Sequence, residues 1–310
     1  MASRPHSTFP RQTPRNFFPW PVYGERRGAY VRHMKTWFIT GASTGFGREL
    51  AAAVIAHGDQ VAVTARDVSK VEDFAQDYPL QAKPYALDVT QPDSITTAMA
   101  EAQRDFGRLD VVVNNAGYGL IGALEECSDE QMLRNIETNL TGPLRVMRAA
   151  LPMFRAQGGG HFINMGAAAA ISNYAGFGVY GGAKAGMELA SEAVAAEAGA
   201  FGVKVTVVIP GPFRTEFIAR SLDRAAAGGT PEYAGTAGKF LSFLEKVDGK
   251  QPGDPAAAAR AIITAVESEK PPFRLVLGKY AYQKARRQLD KERAELDAWE
   301  NVGLPTDFGV

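Results

Sequence analysis

Apolar and polar positions alternate along this chain with two different periods. Short runs of apolar or β-branched residues occur at 36–40, 61–64, 83–87, 109–113, 161–165 and 204–209, and a last one at 274–277. Between them, apolar residues return at helical spacing over 45–57, 68–76, 94–106, 128–154 and 180–201. His57-Gly58 and Phe201-Gly202 read as helix stops. Strands alternating with helices predict βαβ units, hence an α/β fold whose parallel sheet is covered on both faces. Two more helices are expected at 255–267 and about 280–300, and no internal repeat is seen beyond the βα alternation.

Composition changes this picture at the two ends and in one insertion. Residues 1–33 show neither period and carry Pro5, Pro10, Pro14, Pro19 and Pro21. Six arginines against Glu25 give this head a charge of +5; the rest carries −5, and the 310-residue chain sums to +0. An Arg-rich, acid-poor head suits a transit peptide. It lacks an amphipathic apolar face, so a flexible basic extension without chemistry is expected, with Met34 standing where a natural start would. Residues 221–256 are rich in Gly, Ala and Pro and read as a mobile insertion; with the turn before it, a substrate lid is expected at about 216–256. The charge-rich segment 281–310 reads as a solvated helical arm. The neutral total gives no sign of a nucleic-acid binder, and no apolar run is long enough for a membrane span. Cys127 is the single cysteine, so no internal disulfide can form. A reducing, cytoplasmic location is expected.

The first candidate chemistry lies where the first strand meets the first helix. Thr40-Gly41-Ala42-Ser43-Thr44-Gly45-Phe46-Gly47 places glycines at a tight turn that opens a helix N-terminus. Free N–H groups and the positive dipole end there suit phosphate oxygens. Tight packing alone also calls for glycines, but the first βα turn is where such a phosphate loop belongs. The spacing is Gly-x-x-x-Gly-x-Gly. Asn114-Asn115-Ala116-Gly117 follows the fourth strand, Tyr180-Gly181-Gly182-Ala183-Lys184 opens the fifth long helix, and Pro210-Gly211 follows the sixth strand with Thr215 beyond. In this order the motifs resemble the classical short-chain dehydrogenase/reductase family, over roughly residues 35–280. The resemblance implies a single doubly wound, mostly parallel Rossmann-type domain of residues 34–280. It implies a nicotinamide dinucleotide held by Gly41, Ser43, Thr44, Gly45, Phe46, Gly47, Asn115, Ala116, Gly117, Pro210 and Gly211. Tyr180 and Lys184 join that set, and Thr215 would contact the carboxamide or cap the next helix.

The second strand ends Thr64-Ala65-Arg66-Asp67. The resemblance places the acid of NAD-preferring members at Ala65. It places the basic residue that holds the 2′-phosphate at Arg66, whose planar guanidinium suits a phosphate. NADP is therefore expected, with NAD the alternative if Arg66 is a plain surface charge and Asp67 takes the ribose diol. Thr44 stands where some NADP-specific relatives carry a second basic residue. Asp88-Val89 resembles the pair beside the adenine; an ordinary strand-to-loop transition would look the same.

Tyr180 and Lys184, four residues apart, share a helix face. An ammonium nearby lowers a phenol from its ordinary ~10, which makes the pair an acid/base couple. In the family the Tyr protonates the carbonyl oxygen or removes the hydroxyl proton, and the Lys also binds the nicotinamide ribose. Asn139 in Glu137-Thr138-Asn139-Leu140 resembles the helix Asn that supports a water on the Lys. Thirteen residues before the Tyr the family usually has a Ser; here Ala167 stands there. A methyl cannot donate a hydrogen bond, and losing one such donor costs ~10²–10³ in rate. Substitution by Ser172 or Asn173, an engineered change, or a natural variant content with Tyr–Lys all stay open.

Tyr118, Tyr174, Phe177, Phe213, Phe217, Phe240 and Phe243 are expected around the pocket or lid, which suggests a largely apolar carbonyl or alcohol substrate; they would equally fill a core. His6, His33, His57 and His161 show no ligand spacing, so no metal is expected. Two readings result. One is an NADP-dependent oxidoreductase moving a hydride between nicotinamide and a ketone/secondary-alcohol pair, impaired by Ala167. The other is a dinucleotide-binding sensor or scaffold with little turnover. A sugar-nucleotide epimerase is a more distant third. Homo-oligomers are common in the family.

Overall fold

The computed structural model describes residues 33–308, so all of the basic head but His33 lies outside the described residues. The chain runs β1 (Thr36–Ile39), α1 (Gly45–Ala56), β2 (Gln60–Ala65), α2 (Glu72–Asp77), β3 (Ala82–Ala86), α3 (Pro92–Phe106) and β4 (Val111–Asn114). It continues through β5 (Gly119–Ile121), α4 (Asp129–Ile136), α5 (Gly142–Ala156), β6 (Gly160–Met165), α6 (Ala168–Ile171), α7 (Gly178–Ala198) and β7 (Val203–Pro210). It ends with α8 (Phe217–Arg220), β8 (Leu222–Arg224), α9 (Lys239–Val247), α10 (Pro255–Glu267), β9 (Arg274–Leu277) and α11 (Lys279–Gly303).

Seven strands form one parallel sheet in the order β3-β2-β1-β4-β6-β7-β9. Alternate residues of each strand enter different cores. Trp37, Ile39, Val61, Val63, Val111 and Val113 pack with α1 and α10 on one face. Phe38, Ala62, Val112 and Phe162 pack with α3 and α5 on the other. Burial on both sides is why these strands read as continuous apolar runs. Pro84 pairs with Val63 in β3, and β3 is an edge strand, where a missing N–H is tolerated. The sheet reverses its strand order between β1 and β4, so the loops after those strands lie side by side. Such a switch point is where ligands bind in open α/β sheets.

Four local differences from the sequence reading bear on the site. The segment 68–76 splits into a 3₁₀ turn at Val68–Lys70 and α2. The helix expected over 128–154 is interrupted by a π turn at Glu137–Thr141. The Gly142 N–H bonds back to Glu137 C=O, and Pro143 has no N–H to offer Asn139 C=O four residues earlier. α7 begins at Gly178, two residues ahead of Tyr180. The Gly/Ala/Pro-rich insertion is built of short elements: β8, which pairs in parallel with β5 as a second sheet, a π turn at Ala234–Gly238, and the amphipathic α9.

Candidate active site

The glycine loop is fastened to the end of β4. The Thr40 hydroxyl accepts from the N–H groups of Asn115 (2.9 Å) and Ala116 (3.0 Å) and donates to Val113 C=O (3.1 Å). The Asn115 amide donates to Thr40 C=O (3.0 Å) and Gly41 C=O (2.8 Å). A Cβ at Gly47 would stand 2.4 Å from that amide, so the helix start is drawn tight against the loop. No acid occupies the first turn of α1, and the Thr44 hydroxyl makes no cap; the free N–H groups of that turn are left for an anion. Thr215 faces this loop: its Cβ would lie 3.6 Å from a Cβ at Gly45. Its hydroxyl accepts from Phe217 N–H at 3.4 Å, a capping contact. Gly211 N–H is bonded to Leu277 C=O (3.0 Å), which holds the Pro210-Gly211 turn against β9. A cradle of this kind fits the phosphates of a dinucleotide.

At the tip of β2, Arg66 is exposed and makes no hydrogen bond or ion pair with the described residues. Asp67 is committed locally: it accepts from Ser69 N–H (3.2 Å) and the Ser69 hydroxyl (2.7 Å) and pairs with Lys70 (3.7 Å). The Ser69 hydroxyl, first among these, holds its carboxyl below the usual range. Asp88 likewise accepts from Thr90 N–H and hydroxyl through Oδ1 (2.9 and 2.8 Å), and Val89 is buried in the core beside Gly142. The side chains of Asn115, Asp88 and Val89 are thus occupied with the fold itself.

Tyr180 and Lys184 lie on the first turns of α7, both buried. Lys184 Nζ donates to Met165 C=O (2.8 Å), and burial lowers its pKa to about 8. The expectation that its ammonium depresses the phenol is not met here: burial pushes Tyr180 up. The reason is the apolar surroundings of the ring, which penalise a phenolate. Asn139, in the π turn, donates to Tyr118 C=O (2.9 Å) and Asn135 C=O (3.0 Å), while its Oδ1 is buried with no partner among the described residues. A Cβ at Gly117 would be 2.6 Å from that oxygen and 3.4 Å from Lys184 Nζ. Gly117 is therefore the narrow wall over which the lysine and the asparagine meet.

Ala167 joins Tyr180, Ile121, Ala169 and Phe177 in an apolar cluster that Tyr174, Phe217, Leu222, Phe240, Leu241 and Leu244 complete. The Phe177 ring lies edge-on to Tyr180 (5.1 Å) and to Phe240 (5.1 Å). One expected aromatic is elsewhere: Phe213 packs on Phe46 (5.3 Å) in the α1 core. Phe243, on α9 of the expected lid, stacks on Phe240 (6.4 Å) and is otherwise exposed. Tyr118 contributes its carbonyl to Asn135 and Asn139. Asn173 spends its amide on Phe177 C=O and Tyr174 N–H and offers no substitute for the absent serine.

The family profile for short chain dehydrogenases matches residues 35–225. The chain belongs to that family. It is an oxidoreductase of the NAD(P)-dependent type that acts on CH–OH groups. The dehydrogenase is 31% identical over 271 residues to oxidoreductase BOA17 of Botryotinia fuckeliana, covering 87% of this chain and 98% of the relative. A short-chain dehydrogenase structure from Streptomyces avermitilis superposes with a TM-score of 0.83 at 40% identity, covering 88% of this chain and 98% of the other. An alcohol dehydrogenase from Thermococcus sibiricus, complexed with 5-hydroxy-NADP, gives 0.64 at 25% identity, covering 79% and 96%.

Three features of the dehydrogenase escaped the sequence reading. Asn135 is fully buried, donates to Tyr118 C=O (3.1 Å), and leaves its Oδ1 unpartnered among the described residues; its i, i+4 spacing to Asn139 was the available signal. Buried Glu126 accepts from Ala123, Gly229 and Thr230 N–H (2.8, 3.2 and 2.9 Å) and ties the insertion to β5. At the opposite end of the strands, ligand atoms of His57, Asp59 and Glu267 lie within 4.8 Å of one another. Asp59 accepts from Lys35 N–H and Trp37 Nε1, and Glu267 pairs with Lys35, so these carboxylates already serve the fold. No helix among the described residues is long and apolar enough to cross a membrane.

Proposed function

We propose that the dehydrogenase reduces a largely apolar ketone, or oxidises the matching secondary alcohol, using NADP, with Tyr180 as the acid/base. One observation carries this reading. Lys184 Nζ and the orphaned Asn139 Oδ1 converge at Gly117, with Tyr180 one turn away in an apolar pocket. The nicotinamide, when bound, supplies or takes the hydride. Tyr180, held protonated by burial, gives its hydroxyl proton to the carbonyl oxygen; in the reverse direction it takes the proton from the alcohol. Lys184 orients the ribose and steadies the phenolate left behind. Asn139, its Oδ1 unspent, holds a water against the lysine to replace the proton. NADP is favoured because Arg66 makes no ion pair with the described residues while Asp67 is engaged.

Ala167 supplies no donor to the carbonyl oxygen, so turnover is weak. That residue also supports a second reading, a dinucleotide-binding protein with little catalysis. NADPH oxidation over a panel of apolar ketones, in this chain and in Ala167→Ser, separates them. The expected result is low activity that rises about 10²-fold with the serine. Unchanged turnover would refute the role given to position 167. Tight NADPH binding without turnover in either form would establish the second reading.

A further inference from the structure

The asparagine that faces Lys184 is aimed by a second asparagine one helical turn earlier. Asn139 spends both N–H groups of its amide on main-chain carbonyls, those of Tyr118 (2.9 Å) and Asn135 (3.0 Å). A carbonyl oxygen only accepts. Turning the Asn139 amide over would set oxygen against oxygen at both contacts, so these two carbonyls decide which way it faces. They leave Oδ1 on the side of Gly117, where a Cβ would be 2.6 Å from that oxygen and 3.4 Å from Lys184 Nζ.

Asn135 holds both carbonyls. One is its own. The other belongs to Tyr118, in the irregular link 115–118 between β4 and β5, and the Asn135 amide donates to it at 3.1 Å. Both lone pairs of the Tyr118 carbonyl are thus taken by the two asparagines. The Asn135 side chain is fully buried, and its own Oδ1 has no partner among the described residues. A buried acceptor left unmet destabilises a fold. Leucine, of similar shape and better in a helix, would fill the same place without that cost. What Asn135 brings that an apolar residue cannot is the N–H donor on Tyr118.

We propose that Asn135 is a positioning residue for the reaction: by pinning the Tyr118 carbonyl it keeps the Asn139 amide turned with its oxygen toward Lys184, a role that rests on the water-holding function proposed for Asn139. Without the Asn135 donor the Tyr118 carbonyl is released, the Asn139 amide loses the contact that orients it, and the ammonium loses an acceptor that favours its charged form.

The test reads Lys184 directly. In nucleotide-free protein labelled with ¹³C-lysine, the Cε signal lost in Lys184→Met reports the titration of this lysine. Asn139→Ala and Asn135→Leu are each expected to lower its pKa by about 0.5–1, the worth of one hydrogen bond. Asn135→Leu made on top of Asn139→Ala should lower it no further. In the Ala167→Ser background each single change should cut kcat about tenfold, as a misplaced group does, with KM and the NADPH Kd within about twofold. The alkaline limb of the kcat profile should move to lower pH with the lysine. A merely structural defect would lower kcat at every pH and leave that limb in place. Asn135→Ala, smaller and helix-favouring, stands in if the leucine variant does not fold. An effect of Asn139→Ala with none from Asn135→Leu would overturn the proposal and leave the role of Asn139 standing. Losses that multiply in the double variant would show Asn135 acting apart from Asn139, which overturns it as well. If neither variant moves the lysine, both roles fall together.

Discussion

Arg66 and Asp67 are adjacent, yet their surroundings assign them different work. Asp67 turns back to cap the 3₁₀ turn through Ser69, and Arg66 is left exposed at the strand tip. A guanidinium with no carboxylate to satisfy it meets a 2′-phosphate without first breaking an ion pair. Arg66→Ala is therefore expected to weaken NADPH binding by about 1.5–3 kcal/mol, the range of a charged hydrogen bond, and to leave NADH binding nearly unchanged. Fluorescence titration of both nucleotides checks this, and equal losses would return Arg66 to the status of a surface charge. At this scale the sequence was informative where chemistry depends on spacing. Tyr180 and Lys184 could be placed because four residues is one helical turn. Phe213 could not, because aromatics favour a core, a pocket wall and a lid surface alike. The upward shift of the Tyr180 phenol was also out of reach, since it follows from how deeply the ring is buried.

Elements were legible wherever an apolar period ran long enough, and lost where a local device interrupts it. The π turn at Glu137–Thr141 places Asn139, and its only trace in the sequence is Gly142-Pro143 inside a helical pattern. The β5–β8 pair is three residues long on each side, too short for any period to show. What holds that pair and the insertion in place is Glu126. Its three N–H donors, Ala123 first, keep its carboxyl below the usual range. A carboxylate whose folded pKa is lowered stabilises the fold fully above its unfolded value, ~4.3, and loses that contribution as pH falls through the lower folded value. Glu126→Gln presents an NH₂ to one of these N–H groups. It should melt earlier than the parent at pH 7, with the gap closing as pH drops below about 4. Since the insertion borders the pocket, KM should rise more than kcat falls. A melting difference independent of pH would show that the charge of Glu126 is not what anchors the insertion.

For the whole molecule, a net charge of +0 conceals a −5 body that must hold a polyanionic nucleotide. Long-range attraction cannot be the source, because the sign is wrong and the Debye length is only about 8 Å at physiological salt. The means proposed are local: free N–H groups at the start of α1, a loop stitched by Thr40 and Asn115, and Arg66. The residues that make up these devices all lie within 34–310. The chain cut to residues 34–310 is therefore expected to bind NADPH within about twofold of the full chain, with the same dependence of Kd on salt. Arg66→Ala, in contrast, should flatten that dependence, since it removes a charge in contact with a phosphate. A truncated chain that binds about tenfold more weakly, with a flatter salt dependence, would place arginines of the head at the nucleotide and make them part of the site.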